Sequence, residues 1–254
     1  MTLRTRWRSA RALLRLGSVE DVRGTEVSRD VPVSVAIIMD GNARWAQRRR
    51  LPVAAGHRAG AQALKRVVRA ANDAGVEDLT VFSFSTENWS RPEAEVTDLL
   101  GLFTELIDRE TNELHAENVR MRFIGRLEAL PPELQVRIAW SQEHTAGNTG
   151  LNLFVAMNYG GRGEILDAAH RFAAEAGPDG DEEDFGRFLY DVNLRDPELV
   201  IRTSGEQRLS NFLLWQAAYA ELYFCDRLWP DFTPADLDAA LAHYAGCQRR
   251  FGAR

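Results

Sequence analysis

The chain has 254 residues, of which 45% are hydrophobic and 27% charged, and this composition suits one large globular domain. Its net charge of −6 argues against a general nucleic-acid binder, and its two cysteines are too few for a disulfide framework or a zinc site. No apolar run is long enough to cross a membrane, and the apolar part of the N-terminus is too short for a signal peptide. These features predict a cytoplasmic protein without a nucleic-acid partner.

The first 30 residues form a basic segment, and we expect residues 1–30 to be an extension of a single folded domain over residues 31–254. Its arginines recur at helical spacing at positions Arg4, Arg8, Arg11 and Arg15. Such a segment can form an amphipathic helix at a membrane surface or remain a solvated extension, as chain termini often do. The first alternative would place the protein peripherally at the inner face of the membrane.

Strand-like and helix-like segments alternate along the domain. The predicted strands cover residues 35–39, 79–84, 119–124, 151–157, 199–202 and 221–224. The predicted helices cover residues 56–72, 93–116, 132–145, 164–176, 185–190 and 234–244, and one more begins at Asn211. About six β–α repeats predict an α/β fold with a central, mostly parallel six-stranded sheet and helices on both faces.

The first strand ends abruptly in Asp40, Gly41 and Asn42, and a helical pattern follows. A carboxylate is then expected at the carboxyl end of a parallel strand, beside free backbone N–H groups and the positive end of a helix. This arrangement suits a metal ion and a phosphate group, and Arg44 adds a forked donor. An ordinary turn with an Asx cap is the alternative for so short a motif.

Two further strands end in polar loops. Residues 85–92 follow the second strand, and residues 202–210 follow the fifth, with two arginines, two serines and a threonine. Guanidinium forks and hydroxyl donors favour a diphosphate clamp in the later loop, with a surface salt-bridge loop as the alternative. Ligands of open parallel sheets bind beyond the carboxyl ends of the strands. The predicted helix over residues 93–116 also carries an apolar stripe. Together with the polar loops, it indicates a magnesium-dependent enzyme whose substrates carry both a phosphate group and an apolar part.

The motifs at these strand ends resemble those of the cis-prenyltransferases, the undecaprenyl diphosphate synthase family, and occur in family order over residues 35–251. They include Met39-Asp40-Gly41-Asn42-x-Arg44-Trp45, Gly56-His57-x-x-Gly60, Phe84-Ser85-Thr86-Glu87-Asn88-Trp89-x-Arg91-Pro92, Asn158-Tyr159-Gly160-Gly161-Arg162, Arg202-Thr203-Ser204-Gly205-Glu206 and Arg208-Leu209-Ser210. The resemblance implies that residues 31–254 are a cis-prenyltransferase catalytic domain, with a hydrophobic tunnel, that forms a homodimer.

The resemblance also implies a reaction. Isopentenyl diphosphate would be condensed with an allylic diphosphate, such as farnesyl or geranyl diphosphate, to give a polyprenyl diphosphate with cis double bonds. Asp40 corresponds to a residue that binds Mg²⁺ and helps the allylic diphosphate to leave, and Glu221 to a second magnesium contact. Asn88 corresponds to a residue implicated in proton removal. Because an amide is a poor base, we expect Asn88 to position a proton acceptor, such as the released diphosphate.

The remaining correspondences concern substrate binding. The allylic diphosphate site is implied for Gly41, Asn42, Arg44 and His57, with Ala43, Trp45 and Val53 at neighbouring positions. Support for Asn88 is implied for Ser85, Thr86 and Glu87, and further substrate contacts for Trp89 and Arg91. The isopentenyl diphosphate site is implied for Arg202, Arg208 and Ser210, with Leu209 between the last two.

One position departs from the family pattern. The family has an arginine four residues before the histidine of the Gly-His pair, and here that position is Val53. Either Arg49 or Arg50 supplies the missing donor, or the allylic substrate differs from that of relatives.

Two strand positions bear on product length. Ser83 is small and leaves room for a growing chain, whereas Met157 is bulkier than the residue typical of its position. Strand alternation places Leu151, Leu153, Val155 and Met157 on one face. If that face lines the tunnel, Met157 shortens it.

Two other functions remain open within the same fold. One is a non-catalytic partner subunit, but such relatives tend to lose the first-strand aspartate or the clamp, and Asp40, Arg202 and Arg208 are present. The other is an enzyme that joins prenyl units irregularly, head to middle, for which Val53 leaves room. A phosphatase or nucleotide-binding domain lacks support, because the chain has no Walker or dinucleotide-binding motif.

Overall fold

The computed structural model describes residues 31–175 and 180–247. Within them six strands form one sheet in the order β3-β4-β2-β1-β5-β6, and every neighbouring pair is parallel. The strands are β1 Ser34–Ile38, β2 Asp78–Ser85, β3 Arg120–Ile124, β4 Asn152–Tyr159, β5 Leu199–Arg202 and β6 Glu221–Phe224. The helices are α1 Asn42–Arg48, α2 Val53–Ala74, α3 Glu93–Ala116, α4 Pro132–His144, α5 Gly161–Glu175, α6 Glu182–Gly186 and α7 Pro234–Gly246.

The predicted α/β fold is confirmed, with a sheet that is wholly rather than mostly parallel. The predicted extension over residues 1–30 lies outside the described residues. No helix of the described ranges is long and apolar enough to cross a membrane.

Side chains of the sheet alternate between two hydrophobic clusters, one on each face. Val35 and Ile37 of β1 belong to the larger cluster, which includes apolar residues of α2, α3, α4 and α7. Ala36 and Ile38 belong to the smaller cluster on the opposite face. This twofold alternation follows from strand geometry, and it explains why every residue of β1 is buried. Packing from both sides therefore fixes the end of β1, where the Asp40 loop begins.

Helix α2 begins earlier than predicted. Pro52 is the N-cap residue of α2 (φ −57°, ψ 147°), and its carbonyl accepts a hydrogen bond from the N–H of Ala55 at 2.9 Å. A proline costs nothing at a helix start, because the first N–H groups have no partner inside the helix. Gly75 ends the helix in the left-handed conformation (φ +94°), which glycine adopts readily at helix C-termini.

The predicted helix from Asn211 is wrong: this segment consists of turns. Ser210, Asn211 and Leu213 have φ values of +48°, +65° and +43°, which a right-handed helix excludes. Asn211 instead braces the start of α5. Its carbonyl accepts from the N–H of Gly161 at 2.7 Å, and its Oδ1 accepts from the N–H of Arg162 at 2.8 Å.

The short helix predicted over residues 185–190 is displaced towards the N-terminus. Helix α6 begins at Glu182, because the carboxylate of Asp181 accepts a hydrogen bond from the N–H of Asp184 at 2.9 Å and caps the helix. The acidic residues Glu182, Glu183 and Asp184 therefore lie in the first turn of a helix, where negative charge is favourable.

Candidate active site

The carboxyl ends of β1, β2 and β5 lie side by side, because β1 is paired with β2 on one side and with β5 on the other. The loops that follow these strands are the ones in which the sequence places polar site residues. In a parallel sheet this edge is where ligands bind. The fold thus brings three predicted loops into one place.

The carboxylate of Asp40 accepts hydrogen bonds from α1 and from the last residue of β5. Its Oδ2 accepts a hydrogen bond from Arg202 Nη2 at 2.9 Å, and its Oδ1 accepts one from Arg44 Nη2 at 3.2 Å. Its backbone N–H donates to Thr203 Oγ1 at 2.9 Å. Burial alone would raise the pKa of Asp40, but hydrogen bonds from Arg202 and Ser204 and the charge of Arg44 lower it below its ordinary value. The carboxylate is therefore ionised at neutral pH.

Gly41 turns the chain from β1 into α1. Its φ is +110°, and a Cβ at this position would lie 2.9 Å from Leu228 Cδ2, so that both conformation and space favour glycine. The turn places Arg44 where its guanidinium donates to Ser204 Oγ at 2.6 Å and to the carbonyl of Ser204 at 3.2 Å. Arg44 therefore ties the loop after β1 to the loop after β5.

Arg202 is the buried centre of the predicted diphosphate clamp, with a side chain that is 4% exposed. Besides Asp40, its guanidinium donates to Ser210 Oγ at 2.7 Å and to the carbonyl of Arg208. The guanidinium of Arg208 is 60% exposed and pairs with Glu206. The structure thus brings Arg202 and Ser210 together, and leaves Arg208 at the surface of the same loop.

The loop after β2 is a 3₁₀ turn, Thr86–Ser90, closed by a capping box. The N–H of Ser85 donates to Asn88 Oδ1 at 2.9 Å. Because this bond occupies the amide oxygen of Asn88, its NH₂ group is the part that can donate to a ligand. Trp89 Nε1 donates to Asn158 Oδ1 at 2.8 Å, which fixes the indole at the end of the turn.

Thr86 and Glu87 face the segments that follow β4 and β5. Glu87 Oε1 accepts a hydrogen bond from Asn211 Nδ2 at 2.9 Å. Burial alone would raise the pKa of Glu87, but hydrogen bonds, above all that from Asn211, lower it. A Cβ on Gly160 would lie 2.7 Å from both Thr86 Oγ1 and Asn211 Nδ2. The glycine-rich turn therefore packs closely against the 3₁₀ turn and supports it.

Asn42, His57 and Arg91 line one side of a cavity that opens at this edge. Within the described part of the chain, the buried atoms Asn42 Oδ1 and His57 Nε2 have no hydrogen-bond partner. Burial, and after it the charge of Arg91, lowers the pKa of His57, so its imidazole is neutral at pH 7. Arg91 Nη1 donates to Glu95 at 2.9 Å. Buried polar atoms without a partner are expected where a ligand completes the site.

Arg49 and Arg50 offer no direct replacement for the arginine missing at Val53, which is the first residue of α2. Arg49 Cζ lies 4.2 Å from the centroid of the Trp45 ring, and its guanidinium donates to Asp231 at 3.2 Å. Trp45 Nε1 donates to the same carboxylate at 2.7 Å. Arg50 is exposed in the turn after α1 (φ +55°). Asp231 and Trp45 therefore hold Arg49 at the surface.

Glu221 is not brought close to Asp40 within one chain. Glu221 begins β6, where it is in register with Leu199 and, across β5, with Val35. Asp40 lies five positions after Val35, roughly 16 Å further along the strand direction. The predicted second magnesium contact is therefore at the opposite end of the strands from the first. In the described ranges, no group of three or more His, Cys, Asp or Glu side chains could hold a metal ion.

The cavity has a volume of about 400 Å³. It begins at a polar mouth and extends between the sheet and helices α2 and α3. Its mouth is lined by Asp40, Asn42, His57, Asn88, Arg91, Arg202 and Ser210. Its interior is mainly apolar, with side chains from α2, α3, β3 and β4. The predicted strand face is confirmed in part, because the wall includes Leu153, Val155 and Met157, together with Ser83. Leu151 is not among the residues that line the cavity and is buried in the larger hydrophobic cluster.

The predicted positions Ala43 and Leu209 are half-buried, and Leu209 packs on the smaller hydrophobic cluster. Three residues that brace the site were not identified from the sequence as site residues, namely Asn158, Asn211 and Asp231. Asn158 is the penultimate residue of β4, at the same sheet edge, and the strand-end rule applied to β1, β2 and β5 would have found it. Nothing in the local sequence marks Asp231, because its partner Trp45 is 186 positions away.

Comparison with known proteins gives a consistent result. The family model described as "Putative undecaprenyl diphosphate synthase" matches residues 38–252. "Isoprenyl transferase 2" of Bradyrhizobium diazoefficiens is 49% identical over 229 residues, which is 88% of this chain and 91% of that protein. The "Isoprenyl transferase" of Thermotoga maritima is 48% identical over 226 residues, 87% of this chain and 97% of that protein. The structure of lavandulyl diphosphate synthase from Lavandula x intermedia, in complex with dimethylallyl diphosphate, matches with a TM-score of 0.85 and 35% identity over 88% of this chain and 99% of that one.

Proposed function

Because this chain belongs to the undecaprenyl diphosphate synthase family of prenyl-transferring enzymes, we propose that it condenses isopentenyl diphosphate with an allylic diphosphate such as farnesyl or geranyl diphosphate. The product is a polyprenyl diphosphate whose new double bonds are cis. The proposal is carried by one observation: Asp40, Arg202 and Ser210 form a polar mouth on an apolar cavity of about 400 Å³. Diphosphates suit the mouth, and prenyl chains suit the cavity.

In this reaction the bond between the allylic carbon and its diphosphate oxygen breaks, and the diphosphate leaves with the bonding electrons. A carbon–carbon bond to isopentenyl diphosphate forms, and that substrate loses a proton. Negative charge therefore grows on the leaving group, on the side of the mouth that Arg91 lines. Fixed cationic donors at that place lower the barrier, because they need no reorganisation when the charge develops.

The donor set is compatible with Mg²⁺, which proteins bind through one or two carboxylates together with substrate phosphates. Asp40 is the candidate ligand, since its carboxylate is ionised and lines the mouth. When bound there, the ion would supply Lewis-acid stabilisation of the diphosphate. Glu221 remains a prediction as a second ligand, and its position at the far end of β6 does not support that role beside Asp40 of the same chain.

Asn88 is proposed to hold the proton acceptor. Its side-chain oxygen accepts a hydrogen bond from the N–H of Ser85. Its NH₂ group is therefore the part that can donate to a diphosphate oxygen at the mouth. The released diphosphate is a stronger base than an amide. Asn88 would therefore act by orienting that acceptor, with Thr86 and Glu87 stabilising the turn that carries it.

The allylic diphosphate is assigned to the side of the mouth formed by Asn42, His57 and Arg91, with Trp89 nearby. A neutral His57 can donate one hydrogen bond to a phosphate oxygen, and the approach of the anion would favour its protonation. The isopentenyl diphosphate is assigned to the side formed by Arg202, Arg208 and Ser210. Arg208 is exposed and paired only with Glu206 at the surface, so it can turn towards a ligand at small cost.

A homodimer is part of the proposal. Strand β6 is an edge strand of the sheet, and large apolar side chains are exposed beside it and on it. Tyr219, two residues before β6, is 79% exposed, and Leu222 within β6 is 41% exposed. A second copy covering this edge would remove both from water and protect the unpaired strand.

An irregular head-to-middle condensation is the second candidate. It is favoured by the 35% identity to lavandulyl diphosphate synthase and by Val53 in place of an arginine. A catalytically inactive partner subunit is disfavoured by the intact arrangement of Asp40, Arg44 and Arg202.

A product assay tests the proposal. The purified protein is incubated with Mg²⁺, labelled isopentenyl diphosphate and either geranyl or farnesyl diphosphate, and the products are dephosphorylated, sized and analysed by NMR for double-bond geometry. A ladder of cis-polyprenols is expected, and Asp40→Asn should abolish it. A single branched product would instead assign the irregular reaction, and no product with either primer from folded protein would reject both.

A further inference from the structure

An ion pair lies on the wall of the otherwise apolar part of the cavity. Lys65 of α2 and Glu110 of α3 both line the cavity, and Lys65 Nζ lies 2.9 Å from Glu110 Oε2. Their side chains are only 20% and 16% exposed. The cavity residues around them are apolar: Leu64, Val68, Ile107 and Leu114.

The pair lies deep in the cavity rather than at its mouth. Helix α2 passes the mouth at His57, and Lys65 follows about 12 Å further along the helix axis. Helix α3 begins close to Arg91 at the mouth, and Glu110 belongs to its second half. Val68 and Leu114 line the cavity beyond the pair. A chain that grows inward from the mouth therefore meets apolar wall first and the pair afterwards.

Both members of the pair are charged. Hydrogen bonds to Glu113 and then to Glu110 raise the pKa of Lys65. Burial alone would raise the pKa of Glu110, but Lys65 and Arg109 lower it below its ordinary value. An apolar chain against this pair would remove its remaining water and offer no hydrogen bond in return, which is unfavourable.

We propose that the Lys65–Glu110 ion pair sets the upper length of the prenyl chain that this cavity accepts. Elongation proceeds while each added unit contacts apolar wall, and it stops when the next unit would cover the pair. The residues are specificity determinants rather than catalytic residues, since they lie far from the diphosphates. The inference rests on the proposed function, because it concerns the product of that reaction.

Equilibrium binding of linear n-alkyl diphosphates tests the inference without any turnover. In the wild type, the dissociation constant should fall by roughly fourfold for each added methylene while the chain contacts apolar wall, and then level off. In Lys65→Met/Glu110→Leu, which keeps similar volume without charge, the fall should continue to longer chains. An identical levelling point in the two proteins would overturn the inference.

A matched variant controls for indirect effects. Arg69 Nε donates to Glu117 Oε1 at 2.7 Å and also links α2 to α3, but neither residue is among those that line the cavity. Arg69→Met/Glu117→Leu should therefore keep the wild-type levelling point. If the Arg69→Met/Glu117→Leu control moved the levelling point as far, the effect would be mechanical and the inference wrong.

The same variants are then compared for products. Lys65→Met/Glu110→Leu should give polyprenols longer than those of the wild type by at least one isoprene unit, with an unchanged melting temperature or a higher one. If the wild type elongates a primer and this variant gives products of the same length, the inference is wrong while the proposed function stands. If neither the wild type nor any variant elongates a primer, the proposed function fails. The alkyl diphosphate series then still decides whether the pair limits the length of the chain that the cavity accepts.

Discussion

Arg202 Nη2 donates a hydrogen bond to Asp40 Oδ2 at 2.9 Å, although the two residues are 162 positions apart in the chain. The contact exists because β1 and β5 are parallel neighbours and Arg202 is in register with Ile38. The side chain of Arg202 is 4% exposed and that of Asp40 is 29% exposed. A buried guanidinium requires a counter-charge, and Asp40 supplies it at the mouth of the cavity.

Replacement of Arg202 by glutamine should lower kcat/KM by about a hundredfold or more, because the clamp loses its buried cation and Asp40 loses a donor. Arg202→Lys should rescue little, since an ammonium cannot donate to Asp40 and Ser210 as a fixed fork does. Steady-state kinetics with both substrates measures the effect. Arg227→Gln is the control, because Arg227 is 61% exposed and pairs with Asp236 outside the cavity. An Arg202→Gln enzyme within threefold of the wild type would contradict this role.

The depressed pKa of Asp40 predicts a pH-dependent contribution to stability. In the unfolded chain the carboxyl titrates near its ordinary value of 3.8, and in the folded protein it titrates lower. Ionised Asp40 therefore stabilises the fold above about pH 4, and this contribution is lost as the pH falls through the folded pKa. Urea unfolding of the wild type and of Asp40→Asn should show a difference in unfolding free energy that shrinks between about pH 5 and pH 3. A difference that stays constant over this range would show that ionisation of Asp40 does not contribute.

The two functions of the Asn88 amide can be separated by substitution. Asn88→Asp keeps an acceptor for the N–H of Ser85 but loses the NH₂ donor, whereas Asn88→Ala loses both. If the donor orients the proton acceptor, both variants should lose about a hundredfold in kcat, and only Asn88→Ala should also lower the melting temperature. The check is single-turnover kinetics combined with thermal unfolding. An Asn88→Asp variant with normal turnover would show that the donor is not needed.

The strand ends of this site could be predicted because each one is a local pattern. A β-branched run that stops at Asp40 has few alternatives, and α3 begins at Glu93 as predicted, directly after Pro92. Non-local contacts could not be predicted in this way. The turns near Asn211 replace a helix because that residue braces Gly161, about fifty positions earlier. The separation of Glu221 from Asp40 likewise depends on strand order and register, which no local pattern contains.

Val53 leads to a prediction about the allylic substrate. Since Asp231 and Trp45 hold Arg49 at the surface, Arg49→Ala should leave the KM for the allylic diphosphate within about twofold, as expected for an exposed pair. Val53→Arg should lower that KM by about tenfold if the new guanidinium reaches the diphosphate, because a hydrogen bond between charged groups is strong. Initial rates over a range of allylic diphosphate concentrations measure both. A large rise in KM for Arg49→Ala would show instead that Arg49 leaves Asp231 when substrate binds.

Two glycines allow backbone strain and close packing to be separated. Gly41 and Gly75 both have left-handed backbones, with φ values of +110° and +94°, but only at Gly41 would a Cβ meet another residue, Leu228 at 2.9 Å. Gly75→Ala should therefore lower the unfolding free energy by about 1 kcal/mol from strain alone, and Gly41→Ala by roughly 2–4 kcal/mol. Urea unfolding at neutral pH gives both values. The larger effect should also appear as a loss of activity, because a shift of Gly41 displaces Asp40 and the first turn of α1. Equal destabilisation by the two variants would mean that the protein relaxes around Leu228 and that strain alone explains the glycine.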